Sequence, residues 1–228
     1  MYESLADIYD KSIGFDHEGY FAFVAPYLKG EGLDLACGSG RFTALAVEAG
    51  HKMTGVDSSV EMLSKAAQRG GAEWVCADIS ALRIPENTYG FISCVCDGFN
   101  YLPPRALTRT LNNIYAALDA GGTLIFDVST PYKLEKVLGG KDFFYEDGGV
   151  YLGWNNSYSR GRCDIFLTIF TPDGKGYKKS EEEHSLYAHG KEFLLNALKG
   201  FKVKIFDGDT FKKPGKNSLR WLFVCTKV

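Results

Sequence analysis

The stretch Leu33-Asp34-Leu35-Ala36-Cys37-Gly38-Ser39-Gly40-Arg41 sets the reading of the whole chain. A short apolar run over 32–37 ends in a glycine-rich turn. Residues 41–49 then place small and apolar side chains at helical spacing, up to Gly50. Strand, tight turn and helix in immediate succession form a ligand-approach device. Gly38 and Gly40 let the backbone turn sharply without a Cβ in the way, and the helix start beyond them presents unpaired N–H groups to an anion.

Working outward, the same alternation recurs. Residues 52–56 read as a second strand, followed by Ser58 and Ser59 as cap candidates for a helix through Gln68 and by Gly70-Gly71. Third and fourth strands follow at 72–76 and 90–96. Pro103-Pro104 opens a helix with Leu107, Leu111, Ile114, Tyr115 and Leu118 on one side. Gly121-Gly122 breaks it before a fifth strand at 123–128. Repeated strand–helix–strand units imply right-handed crossovers and a mostly parallel sheet with helices on both faces. In such α/β sheets ligands bind beyond the carboxyl ends of the strands.

Acidic residues stand at those ends. Asp57 closes Thr54-Gly55-Val56-Asp57, and Asp78 lies in Ala77-Asp78-Ile79 after the third strand. The segment 91–97 ends the fourth strand with Cys96-Asp97. The glycine loop resembles the first motif of class I S-adenosylmethionine-dependent methyltransferases, D/E-x-G-x-G-x-G, with Ala36 in place of the first glycine. The resemblance implies a Rossmann-like fold binding S-adenosyl-L-methionine, with S-adenosyl-L-homocysteine as product. It places Ala36, Cys37, Gly38, Ser39, Gly40 and Arg41 around the methionine carboxylate. Asp34 would receive the α-ammonium, directly or through water. Asp57 would hold the ribose hydroxyls, and Ser58 and Met62 after it would also line the cofactor. Ala77, Asp78 and Ile79 would hold the adenine, and Cys96 would lie beside the methyl donor.

Beyond Pro131 the chain changes character. Aromatic and β-forming runs occupy 143–145, 150–158, 163–170 and 177–187, with Pro172-Asp173-Gly174 reading as a hairpin turn. They predict an antiparallel β-flap, 131–189, inserted after the fifth strand and covering the substrate side of a single domain. Residues 1–30 read as a helical cap, 31–130 as the cofactor-binding core, and 190–228 as a helix and two strands returning to the sheet. Segments 2–10, 99–102, 181–184 and 218–220 are similar to a bacterial subgroup of small-molecule methyltransferases, among them sugar N,N-dimethyltransferases. In that subgroup a β-flap accompanies the core. A second departure from the family pattern is Ala120, where a proline often precedes Gly121-Gly122.

Displacement of a methyl from a sulfonium is an in-line reaction in which the protein aligns the reactants, worth roughly 7–11 kcal/mol of barrier. Aromatic faces help to hold the positive sulfur. Tyr2, Tyr9, Phe99, Tyr101, Tyr151 and Trp154 are therefore candidates for the site, each equally readable as flap or cap core; Tyr9 is assigned to the cofactor. Along 179–187, strand alternation puts Glu182 and His184 on one face and Glu181, Glu183 and Ser185 on the other. Glu182 and His184 read as surface polar residues or a structural pair with Arg220. The alternative sets them in the acceptor pocket opposite Asp97 and Asn100, with Tyr101, Tyr151, Trp154 and Arg220 also on the substrate. There His184 acts as the base, and Asp97 as the alternative base or an orienting group. No metal is expected.

Composition sets the remaining bounds. The 228 residues carry 26 basic and 28 acidic side chains, a net charge of -2, without the basic patch that duplex nucleic acid requires. No apolar run approaches a membrane span and no leader is read at the start, so the expectation is a cytoplasmic protein with a small-molecule acceptor, monomeric or homodimeric. Six cysteines without a CxxC pair read as free thiols. A nicotinamide enzyme needs a third glycine where Thr43 stands. A nucleobase methylase would replace Asp97-Gly98-Phe99-Asn100 with Asp/Asn-Pro-Pro-Tyr. Two further alternatives stay open, a protein acceptor and a silent binding module.

Overall fold

The computed structural model describes residues 15–228. Asp16 caps helix α1 (His17–Val24) by accepting the Gly19 N–H at 2.8 Å, and a single turn over Ala25–Tyr27 leads into the sheet. Strands β1 (Gly32–Leu35), β2 (Met53–Asp57), β3 (Glu73–Cys76), β4 (Tyr89–Cys94) and β5 (Leu118–Ser129) alternate with helices α2 (Arg41–Glu48), α3 (Val60–Arg69) and α4 (Pro104–Ala117). Ser59 caps α3 by accepting the Met62 N–H, as its position implied. After the flap come α5 (Lys191–Ala197), β10 (Phe201–Asp207) and β11 (Arg220–Lys227).

The main sheet runs β10-β11-β5-β4-β1-β2-β3. Pairs from β5 to β3 are parallel, and β10 and β11 add antiparallel edge pairings. β1 and β2 are buried at every residue, as a strand covered on both faces must be. Chain order reverses between β1 and β4. Their following loops diverge there and open the crevice in which an α/β sheet binds its ligand.

The flap is a second sheet, β6 (Asp142–Asp147), β7 (Val150–Ser159), β8 (Arg162–Asp173) and β9 (Gly176–Tyr187), paired antiparallel in sequence order. Leu152, Ile165, Leu167, Ile169 and Leu186 line one face and pack on Leu134 and Leu138. Those two belong to a helical turn, Lys133–Leu138, that the sequence reading passed over because six residues show too little periodicity. The β8–β9 hairpin turns at Gly174 (φ 58°) and Lys175, one residue later than expected, since Pro172 still pairs with Tyr177. β5 begins at Leu118 rather than 123: Gly121 (φ 73°) and a shift in register between β4 and β5 are accommodated within the strand. Of the expected cap, α1 and the turn after it are seen; residues 1–14, with Tyr2 and Tyr9, lie outside the described residues. Among the described residues no helix is long and apolar enough to cross a membrane.

Candidate functional site

The loop after β1 is built from left-handed residues: Ala36 (φ 53°), Gly38 (54°) and Gly40 (75°). A Cβ at Gly40 would also lie 2.6 Å from the Trp74 ring, so α2 can start this close to β3 only from glycine. Asp57, at the end of β2, ties the loop down. Its Oδ2 accepts the Gly38 N–H at 2.8 Å and its Oδ1 the Ser59 N–H at 2.9 Å. Burial raises its carboxyl above the ordinary range against these hydrogen bonds.

Asp34 does not reach the ligand space. Fully buried beneath the loop, it accepts Thr43 Oγ1 at 2.6 Å and Ser93 Oγ at 2.8 Å, and burial pushes its carboxyl up to about 6. Both of its oxygens are engaged in a tie between β1, α2 and β4, where a direct contact with an α-ammonium was one of the two expected. The cause is position, since Asp34 is paired inside β1 rather than placed at its end.

A cavity of about 620 Å³ opens at the switch point. Ala36, Cys37, Gly38, Ser39 and Arg41 form one end, Asp57, Ser58 and Met62 the middle, and Ala77, Asp78 and Ile79 the far side. Cys96 and Tyr101 close it from the β4 side. Twelve of the fifteen expected cofactor residues thus share one wall; Asp34 and Gly40 lie behind it, and Tyr9 is not described. Asp78 is oriented by the Ser80 N–H at 2.7 Å and the Ser80 hydroxyl at 2.9 Å. The sequence reading missed Leu102, Pro103 and Ala106, an apolar wall before and within the first turn of α4, and His17 and Phe42. No local pattern marks those positions; the fold assembles them.

The flap contributes Glu183, Ser185 and Tyr187 to this cavity. Alternation along β9 holds, but the face turned to the cavity is that of Glu183 and Ser185, the reverse of the one the acceptor-pocket alternative required. Glu182 and His184 pair at 3.3 Å, both buried, on the face that carries Leu186, and the His184 ring sits edge-on to Tyr101 with centroids 6.0 Å apart. Leu186 belongs to the flap's apolar cluster, and two-residue periodicity takes Glu182 and His184 to its side.

Asp97 and Arg220 are likewise turned away from the cavity. Asp97 Oδ1 and Asp127 both accept Arg220 Nη1, the former at 2.5 Å, and Ser129 Oγ donates to Asp97 at 2.8 Å. Lys133 approaches at 3.6 Å. Burial alone would raise the Asp97 carboxyl, yet Arg220 and Lys133 hold it down at about 2. Held between two cations, this carboxylate is engaged in ion pairs rather than free to take a proton from an acceptor. The buried Asn100 spans sheet and flap: its Nδ2 donates to Tyr187 O at 2.9 Å and Ser129 O at 3.2 Å, and its Oδ1 accepts the Ser129 N–H at 2.9 Å. Tyr151 packs on Phe144 and Tyr177, and Trp154 donates to Asn156, both outside the cavity wall. Of the five residues expected on the substrate, Tyr101 alone lines it.

The methyltransferase-domain family matches residues 33–122, the stretch from β1 into the first residues of β5. Bacillus subtilis (strain 168) YqeM, named as a methyltransferase, is 25% identical over 100% of this chain and 97% of its own. A sugar N-methyltransferase from Streptoalloteichus sp ATCC 53650, KedS8, superposes with a TM-score of 0.78 at 20% identity, covering 100% of this chain and 92% of that one. An S-adenosylmethionine-dependent methyltransferase of Clostridium acetobutylicum ATCC 824 superposes with a TM-score of 0.90 at 30% identity, covering 99% of this chain and 98% of that one. The cavity suits the donor named for the Clostridium protein: backbone N–H groups and Arg41 would meet its amino-acid end, the Asp57 carboxylate its ribose, and Asp78, Ile79, Leu102 and Ala106 its base. A glycine loop clamped by Asp57, a cavity at the sheet's switch point and a relative matched from end to end converge on one statement: this chain belongs to the class I S-adenosylmethionine-dependent methyltransferases.

Proposed function

We propose that the enzyme methylates a nitrogen or oxygen of a small acceptor enclosed between the donor loop and the flap. The observation that carries this reading is the continuity of the cavity. One space runs from Gly38 and Asp57 past Cys96 and Tyr101 to Glu183, Ser185 and Tyr187 of β9. At about 620 Å³ it lies within the range of small-molecule sites. A folded sheet along the acceptor side of this space favours a compact acceptor over a polymer.

When bound, S-adenosylmethionine supplies a methyl group on a positively charged sulfur. The chain's own part is alignment and exclusion of water. Asp57 and Asp78 fix the nucleoside, the Gly38 loop fixes the amino-acid end, and the Tyr101 ring gives the charged end an aromatic neighbour. Ser185, whose hydroxyl donates to Asp164 Oδ1 at 2.6 Å, and Glu183 give the acceptor polar partners on the flap side. The description of KedS8 as a sugar N-methyltransferase supports a polar, hydroxyl- or amine-bearing acceptor.

A screen of small amines, hydroxylated amines, phenols and carboxylates with isotopically labelled donor, read by mass spectrometry, tests the reading. Transfer to a small amine or hydroxyl is the expected result. Transfer to protein or carbon acceptors alone would overturn it.

A further inference from the structure

Two consecutive non-glycine residues at the end of β4, Cys96 (φ 58°) and Asp97 (φ 65°), adopt the left-handed conformation. Side chains rarely accept it, and a pair in sequence needs something that over-determines it. Asp127 is that group. Its Oδ2 accepts the Cys96 N–H at 2.9 Å and its Oδ1 the Asp97 N–H at 3.0 Å, and it is fully buried. Behind it Arg220 bridges Asp127 and Asp97, so the anion that clamps the turn is itself neutralised.

The turn matters because of what it presents. Cys96 and Gly98 stand in the cavity wall while Asp127 stands behind it. Gly98 is pressed against the donor loop: a Cβ there would come within 3.0 Å of Ala36 Cβ and 2.6 Å of Cys94 Sγ. The position of this turn therefore sets the width of the donor end of the cavity. The same device operates at the neighbouring strand, where the Asp57 carboxylate holds the Gly38 N–H.

We propose that Asp127 is a positioning residue for methyl transfer, holding the left-handed Cys96–Asp97 turn against the donor loop so that the cavity is shaped for S-adenosylmethionine before it binds. The proposal rests on the donor reading and not on the identity of the acceptor. Its test is direct binding of S-adenosylhomocysteine by calorimetry. Wild-type binding is measured first; its absence fails the donor reading itself. Asp127→Asn keeps the shape but offers the two N–H groups a single acceptor oxygen, and it is expected to bind at least about tenfold more weakly. Ser129→Ala removes a hydrogen bond to the Asp97 side chain without touching the two backbone bonds. It is expected to bind within about twofold of wild type.

A purely structural cluster would lower the melting temperature in both variants and leave affinity alone. Folded Asp127→Asn with affinity within twofold of wild type overturns the proposal. Glycine relieves the left-handed penalty, so Asp127→Asn with Cys96→Gly is expected to recover affinity to within about fivefold of the Cys96→Gly single variant. If Asp127→Asn alone gives no folded protein, this double variant decides: recovery supports the proposal, and an unfolded or non-binding double variant overturns it.

Discussion

The Asp57 carboxylate accepts the Gly38 N–H at 2.8 Å, so the acid at the end of β2 holds the glycine loop at the end of β1 in place. A carboxylate has about four acceptor positions; the Gly38 and Ser59 N–H groups occupy two of them, with Ser58 N–H also close, and what remains would take a ribose hydroxyl. Asp57→Ala therefore removes both the ligand contacts and the clamp. S-adenosylhomocysteine should bind at least about tenfold more weakly, the effect of about 1.4 kcal/mol, in a protein that remains folded by circular dichroism. Titration calorimetry showing affinity within twofold of wild type would place Asp57 outside the binding site.

Asp34 predicts a pH signature. Burial raises its carboxyl to about 6 in the folded protein, against an ordinary value of 3.8. A group raised on folding adds stability that is complete below the unfolded value and fades as pH rises through the folded one. The Asp34 contribution should thus be full below about pH 4, decline up to about pH 6 and be flat beyond. Asp34→Asn keeps an acceptor for Thr43 or Ser93 and cannot titrate. The difference in melting temperature between wild type and variant should shift against the wild type from pH 4 to pH 6, then stop changing. A difference that is constant across pH 4–8 contradicts an elevated Asp34.

The cofactor half was legible because its signals are local. Gly38, Gly40 and Asp57 are each fixed by backbone geometry at a strand end, and a mostly parallel sheet follows from the alternation of strands and helices. Asp34 looked equivalent on paper, yet its place inside β1 gives both its oxygens to Thr43 and Ser93. The acceptor half depends on which face of β9 meets the cavity. Alternation separates Glu182 and His184 from Glu183 and Ser185 but is blind to which set turns inward. That choice is made by Leu186 and the Lys133–Leu138 turn beneath the flap, a packing relation across sequence-distant segments.

Asn100→Ala tests how the flap is anchored. One buried side chain joins the end of β5, through both polar backbone groups of Ser129, to the end of β9 at Tyr187. Truncation strands two buried backbone groups of Ser129 and a half-buried one of Tyr187, at about 1–3 kcal/mol for each buried group left without a partner. Relaxation keeps the sum below strict addition, so a loss of about 2–4 kcal/mol is expected in urea unfolding. Amide exchange should rise at Tyr187 and Ser129 before it rises at the centre of β1. An unfolding free energy within 0.5 kcal/mol of wild type, roughly the scatter of surface substitutions, would show that the flap is held by its apolar cluster alone.

Glu183 and His184 are neighbours with opposite expectations, and the pair decides which face of β9 meets the acceptor. Glu183 lines the cavity and lies opposite Phe166 in the β8 register; His184 is buried, 3.3 Å from the Glu182 carboxylate and edge-on to Tyr101. A carboxylate on the wall contributes through the acceptor, so Glu183→Gln should raise the KM for a small acceptor several-fold. Because the donor is held at Gly38, Asp57 and Asp78, affinity for S-adenosylhomocysteine should stay within about twofold. His184→Asn removes the buried ring beside Glu182 and Tyr101 and leaves the Glu182 carboxylate behind. The expected result is a stability loss of about 1–3 kcal/mol with an acceptor KM close to wild type. Kinetics with the acceptor found by the screen, run beside urea unfolding, separate the two. A His184→Asn protein as stable as wild type but without turnover, together with a Glu183→Gln protein of unchanged KM, would reverse the assignment. His184 would then be the proton acceptor, and the face that carries Leu186 would be the one turned toward the reacting atoms.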